Sequence, residues 1–121
     1  MLSLPLPVRI FLCTVPADMR RSFDGLAQMV REFLGADPLS GHLFVFRSKR
    51  GDRIKLLYWD SDGLAIWYKR LEKGTYRFPP ATGAYAGVEI RAADLAMLLD
   101  GVDLESVQRR PRYQRPAPTS S

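Results

Sequence analysis

A chain of 121 residues, 46% of them hydrophobic and carrying a net charge of +5, fits one domain with a core of its own and leaves little room for a second. Its single cysteine excludes an internal disulfide, one cysteine with one histidine falls short of a zinc ligand set, and no apolar run reaches the roughly 18 to 20 residues of a membrane span. The excess of 18 basic over 13 acidic side chains suits a polyanionic partner, because clustered cations raise the local potential and speed encounter with phosphates.

Residues 1–7 (MLSLPLP) are too short and too proline-broken for a signal peptide and lack a basic leader, so they read as an N-terminal extension of a cytoplasmic protein. Residues 8–15 (VRIFLCTV) read as a buried strand, in which Cys13 serves as a small hydrophobe. Met19, Phe23, Leu26, Val30 and Phe33 then fall on one helical stripe. Asp18 or Ser22 stands ready to cap that helix and Gly35 to close it. Gly25 costs roughly 1 kcal/mol inside a helix and predicts a close helix–sheet approach. Arg20, Arg21 and Arg31 lie off the stripe, as a solvated face or as phosphate contacts.

The stretch 41–79 organises the chain. Residues 43–47, 54–59 and 64–68 are aromatic and branched runs of strand length, bounded by turn residues around Gly51, Gly63 and Gly74 whose glycines supply positive φ. They predict a meander of antiparallel hairpins, one face covered by the helix and the other open. Here lie eight of the thirteen aromatics and nine basic residues against four acidic ones. Arg47, Lys49, Arg50, Arg53 and Lys55 are the candidate phosphate contacts, with Lys69, Arg70 and Arg77 extending the surface. Of the aromatics, Tyr58 and Trp67 are expected in the core, while Trp59 and Tyr68 are candidates for a contact surface.

Beyond Phe78 the chain reads as an exposed connector, a brief strand at 88–90 and a short helix at 92–99. From Gln108 it carries four arginines, three prolines and no acid, the composition of a disordered basic arm or a solubilising tail. The expected organisation is an extension (1–7), one α+β domain (8–104) made of an antiparallel meander packed by one amphipathic helix with a short C-terminal helix, and a basic proline-rich tail (105–121).

Little in the sequence points to catalysis. His42, the sole histidine, stands at the mouth of a strand without a partnered nucleophile. Asp52, Asp60 and Asp62 sit at turns, where a two-metal nuclease site is conceivable but turn chemistry explains them equally well. No catalytic residue, metal ligand or cofactor is assigned.

Four segments, residues 16–26 (PADMRRSFDGL), 37–46 (DPLSGHLFVF), 50–60 (RGDRIKLLYWD) and 63–72 (GLAIWYKRLE), in that order, resemble the accessory-protein family TnpB, or Orf-two, of IS66-group bacterial insertion sequences. That family is unrelated to the RNA-guided nuclease of the same name. The resemblance covers about residues 8 to 104 and implies a non-enzymatic accessory to transposition. In that family the protein is encoded beside a separate transposase, and the residues offer two ways of assisting it. One is binding DNA, at element ends or non-specifically, through the first hairpin and the tail, with or without binding the transposase; the other is acting as a pure adaptor whose Trp59 and Tyr68 dock on the transposase.

Overall fold

The computed structural model describes residues 8–78 and 86–100. The N-terminal extension, most of the proline-rich connector, the end of the expected domain and the basic tail lie outside the described residues. Within them the chain runs β1 (Ile10–Cys13), α1 (Phe23–Met29, continued by a π-helical turn Val30–Leu34), β2 (Leu43–Arg47), β3 (Arg53–Asp60), β4 (Gly63–Arg70), β5 (Gly87–Ile90) and α2 (Ala92–Leu99). The architecture is α+β, with a mostly antiparallel sheet in the order β4-β3-β2-β1-β5.

The expected meander forms: β2 pairs β3, and β3 pairs β4 from Arg53↔Arg70 to Asp60↔Gly63. The sheet also holds a parallel pair. β1 lies parallel to β2, Ile10 beside Leu43, and antiparallel to β5, Ile10 beside Ile90. Parallel neighbours need a crossover, and α1 supplies it.

Strand alternation sends side chains to two faces, and both are covered. Ile10, Leu12, Leu43, Val45, Ile54, Leu56 and Ile90 pack with Tyr76, Phe78 and Leu98 on one face. Cys13, Phe44, Phe46 and Leu57 pack with Leu26, Ala27, Met29 and Val30 on the face of α1. The open second face that the meander alone suggests is therefore closed by the segment after β4 and by α2. Strand β2, buried from both sides, reads LFVF without polar alternation for this reason.

The stripe on α1 differs from its expected position. Leu26 and Val30 are buried, whereas Phe23 and Phe33 are 44% and 41% exposed. The helix begins only at Phe23, after a separate turn in which Arg21 N–H donates to the Asp18 carbonyl. The wider π-helical turn then swings Leu34 inward in place of Phe33. Ser22 occupies the N-cap without a side-chain cap bond, and Gly35 closes the helix at φ +59°. The close helix–sheet approach lies at Gly87, where an added Cβ would stand 2.5 Å from Leu34 Cδ2; at Gly25 it would meet only Arg21.

In the tight β3–β4 turn the positive φ falls on Ser61 (+57°), not on Gly63. Asp62 N–H there donates to the Asp60 carbonyl, one residue tighter than a β-turn bond. Gly51 and Gly74, both at φ +84°, carry it in the other two turns as expected.

Candidate nucleic-acid interface

At one end of the sheet the β2–β3 turn is built around a single hydroxyl. Ser48, 7% exposed, accepts from Gly51 N–H (3.2 Å) and Arg53 N–H (3.1 Å) at Oγ and donates to Asp52 Oδ1 (3.3 Å). One donor and two acceptor sites are thereby all used. The segment after β4 clamps the turn from behind, with Leu71 N–H donating to Asp52 O (2.8 Å) and Tyr76 N–H to Gly51 O (2.7 Å). On the other side Ala17 N–H donates to Arg47 O (2.9 Å), which docks the β1–α1 loop beside the turn.

Between the two lies an open cleft of about 460 Å³, lined by residues 16–20 and by Ser48, Lys49, Arg50, Asp52 and Arg53. Lys49 and Arg50 are exposed and make no side-chain hydrogen bond or ion pair among the described residues. Arg53 stands 4.0 Å from Asp52, an ion pair beyond hydrogen-bond distance. Opposite them Arg20 is fixed by Asp18, which accepts from its Nη2 at 2.6 Å and from its Nε at 3.1 Å. That pairing holds the Asp18 carboxyl down to about 2, chiefly through the Arg20 hydrogen bonds. Arg20 is thus a preset donor whose charge is locally balanced, while Lys49 and Arg50 supply unbalanced charge.

Of the other candidate cations only Arg70, beside Arg53, approaches this surface. Lys55 is the clear departure: it is 7% exposed, donates to the carbonyls of Met19 (2.9 Å) and Arg21 (2.8 Å), and lies 4.6 Å from the Tyr68 ring centre. It fastens the loop before α1 to the sheet. In strand register it faces inward with Phe46, under α1, where the sequence suggested a phosphate contact. Arg47 packs over Phe78 at 4.8 Å on the opposite face, half-buried, and desolvation pushes its guanidinium pKa down. Lys69 lies on that same face, across from Ile54. Arg70 stands beside Arg53 on the α1 face, 3.8 Å from Glu72, and Arg77 is exposed.

The aromatics divide differently from expectation. Tyr68 is 48% exposed and Trp59 half-buried, four residues apart in register on the α1 face. Trp67, expected in the core, is 40% exposed on the other face. Tyr58 is half-buried against the core. Phe11 and Phe44 stack at 5.8 Å, and His42 is a structural partner whose Nδ1 accepts from Arg9 N–H (3.0 Å). Cys13 is buried and its thiol donates to Val15 O (3.6 Å); burial pushes its pKa up, away from the thiolate. Asp52 sits at one end of β3 and Asp60 and Asp62 at the other, about 26 Å apart by strand rise, so no single metal site takes all three.

The match of a family model, described as IS66 Orf2 like protein, to residues 8–109 decides the relationship. The chain belongs to the IS66 Orf2-like family. This is an accessory-protein family of insertion sequences, not a known enzyme family, and membership supports a transposition-associated role. Two proteins of Sinorhizobium fredii (strain NBRC 101917 / NGR234) are similar to this IS66 Orf2-like chain. Uncharacterized protein y4jC is 38% identical over 104 residues, covering 86% of this chain and 87% of its own. Uncharacterized protein y4hO is 40% identical over 96 residues, covering 79% and 82%. No solved structure matches. No helix among the described residues is long and apolar enough to cross a membrane.

Proposed function

We propose that this protein assists transposition of its insertion sequence by binding DNA, without catalysing a step itself, and that the cleft between the β1–α1 loop and the β2–β3 turn receives the phosphate backbone. The observation that carries this reading is the pair Lys49 and Arg50, exposed, unpaired among the described residues and held on a turn that Ser48 makes rigid. Arg20 and Arg53 flank them, and Arg70 adds charge beside Arg53. A preset turn loses little backbone entropy on contact, so only the side-chain ordering of its cations is set against their affinity.

Fluorescence anisotropy of duplex DNA carrying an insertion-sequence end, against scrambled duplex over a salt series, tests the proposal. Binding should weaken steeply with salt, since each neutralised phosphate adds about −0.9 to the log–log slope. Charge reversal of Lys49 and Arg50 should weaken it on both duplexes, flatten that slope, and leave the melting temperature nearly unchanged. Unaltered affinity in that variant would sink the assignment, and magnesium- or manganese-dependent nicking by the purified protein would refute the non-catalytic part.

The exposure of Tyr68, with Trp59 half-buried on the same face, favours a second reading, an adaptor that docks on the transposase through Tyr68 and Trp59. It predicts co-purification that survives nuclease treatment and moderate salt, together with no DNA binding at low salt.

A further inference from the structure

Strand β4 is an edge of the sheet, eight residues long, and among the described residues no element pairs with its outer side. Every second residue therefore presents an unpaired backbone N–H and C=O along some 26 Å of edge. Natural edges of this length are commonly blunted by proline, a bulge or an inward-pointing charge. β4 (GLAIWYKR) has no proline and pairs β3 without a break in register, and its two charges stand only at its end.

We infer that β4 pairs antiparallel with β4 of a second copy of this chain, about a two-fold axis at Ile66. The axis stands normal to the sheet, so each side chain meets one on the same face, and only registers centred on a residue are allowed. Centring on Ile66 sets Leu64 opposite Tyr68, Ala65 opposite Trp67 and Asp62 opposite Arg70. Leu64 and Ala65 then meet the two exposed aromatics, and at each end of the ladder the turn residue Asp62 of one copy comes beside Arg70 of the other. Centring on Trp67 instead sets that ring against itself and Asp62 against Glu72, which is repulsive. The charge pattern thus favours the register centred on Ile66 over that centred on Trp67, and makes the edge complementary to a second copy of itself.

The pairing stands on β4 alone and does not depend on DNA binding. It joins two five-stranded sheets into one of ten strands. Because the axis preserves the faces, both basic clefts fall on the α1 side. Arg70 lies four residues from the axis, so the two strand-end arginines stand roughly 27 Å apart by strand rise.

Sedimentation velocity of the full chain over a micromolar concentration series, in the absence of DNA, tests the inference. The mass should rise from the 13.7 kDa of one chain towards twice that value. Hydrogen exchange should slow in β4 over the same series and hold constant in β5. Asp62→Arg and Arg70→Asp, both at exposed positions, should each raise the dimer dissociation constant about tenfold or more, and the double exchange should restore it. A monomer at every concentration would overturn self-pairing, even if the transposase then bound at β4. A dimer indifferent to both charge changes, or one the double exchange fails to rescue, would overturn the register.

Discussion

Replacing Lys55 separates a structural cation from a DNA-binding one. Its ammonium makes two hydrogen bonds to backbone carbonyls and one contact with the Tyr68 ring. Charge-assisted hydrogen bonds contribute about 1.5 to 3 kcal/mol each and a partly desolvated cation–π contact about 1. Against this stands the desolvation of a buried ammonium, several kcal/mol. Lys55→Met keeps most of the side-chain volume, removes the charge, and leaves the Met19 and Arg21 carbonyls without their donor. The net loss should be about 2 kcal/mol, roughly 10 °C in melting temperature for a domain of this size. Lys55→Ala should cost more, because an emptied volume under α1 adds a cavity contribution. Urea unfolding followed by the fluorescence of Trp59 and Trp67 measures both. DNA affinity at a temperature where the variant remains folded should match that of the parent. Unchanged stability with weakened DNA binding would refute the structural role and restore Lys55 to the phosphate-contacting surface.

Three other outcomes follow from local geometry. Ser61→Gly should stabilise the protein by about 0.5 to 1 kcal/mol in urea unfolding, since Ser61 holds a left-handed conformation that glycine adopts without steric cost. Cys13 should resist a thiol reagent such as iodoacetamide under native conditions and react at the rate of a free thiol in denaturant, because burial disfavours its thiolate. The carboxyl of Asp18 titrates at about 2 in the folded chain, below its unfolded value near 3.9, so its contribution is present above pH 4 and lost as pH falls towards 2. Asp18→Asn should flatten that part of the stability–pH curve; an unchanged acid limb would show that Arg20 does not hold this carboxylate in solution.

The parts of the fold written in local pattern were legible: the three meander strands, the Gly35 helix end, and α2 all follow from periodicity and turn chemistry. What escaped depended on partners distant in sequence. The parallel pairing of β1 with β2 joins residues 33 positions apart, and a four-residue apolar strand carries no mark of its neighbour's direction. Lys55 alternates with Ile54 and Leu56 as a solvent-facing lysine would; only the carbonyls of Met19 and Arg21, reached through the loop before α1, make that position interior. Trp67 fails in the opposite sense. Strand alternation allowed it a place in the core, but the chain after β4 places Tyr76 and Phe78 in the space under β2 and β3 and leaves the edge uncovered. For the basic cleft, the sequence supplied the cations of one wall, while the other wall, Pro16 to Arg20, is brought there by the Ala17 to Arg47 hydrogen bond. The two walls lie some thirty residues apart in the chain.

The covering of both sheet faces constrains where this protein meets its partners. A half-open meander would offer its broad face to a ligand, as β-sheet nucleic-acid binders do. Here α1 occupies one face, and α2 with the Tyr76 and Phe78 segment occupies the other, so the inner strands β1 and β2 and the middle of β3 are shielded. Beside the short outer edge of β5, two larger features of the sheet stay accessible among the described residues: the turn end, where Lys49 and Arg50 project, and the β4 edge with Trp67 and Tyr68. They differ in chemistry. The turn end offers charge with little apolar area, suited to phosphate and sensitive to salt. The edge offers backbone hydrogen-bonding groups and aromatic rings with one ion pair at each end, suited to another polypeptide and less steeply sensitive to salt. A salt series run on DNA affinity and on self-association in parallel should therefore weaken the first steeply and the second less, by the screening of its two Asp62–Arg70 pairs. Equal weakening of the two would mean that one surface serves both, and would undo the division between turn end and edge.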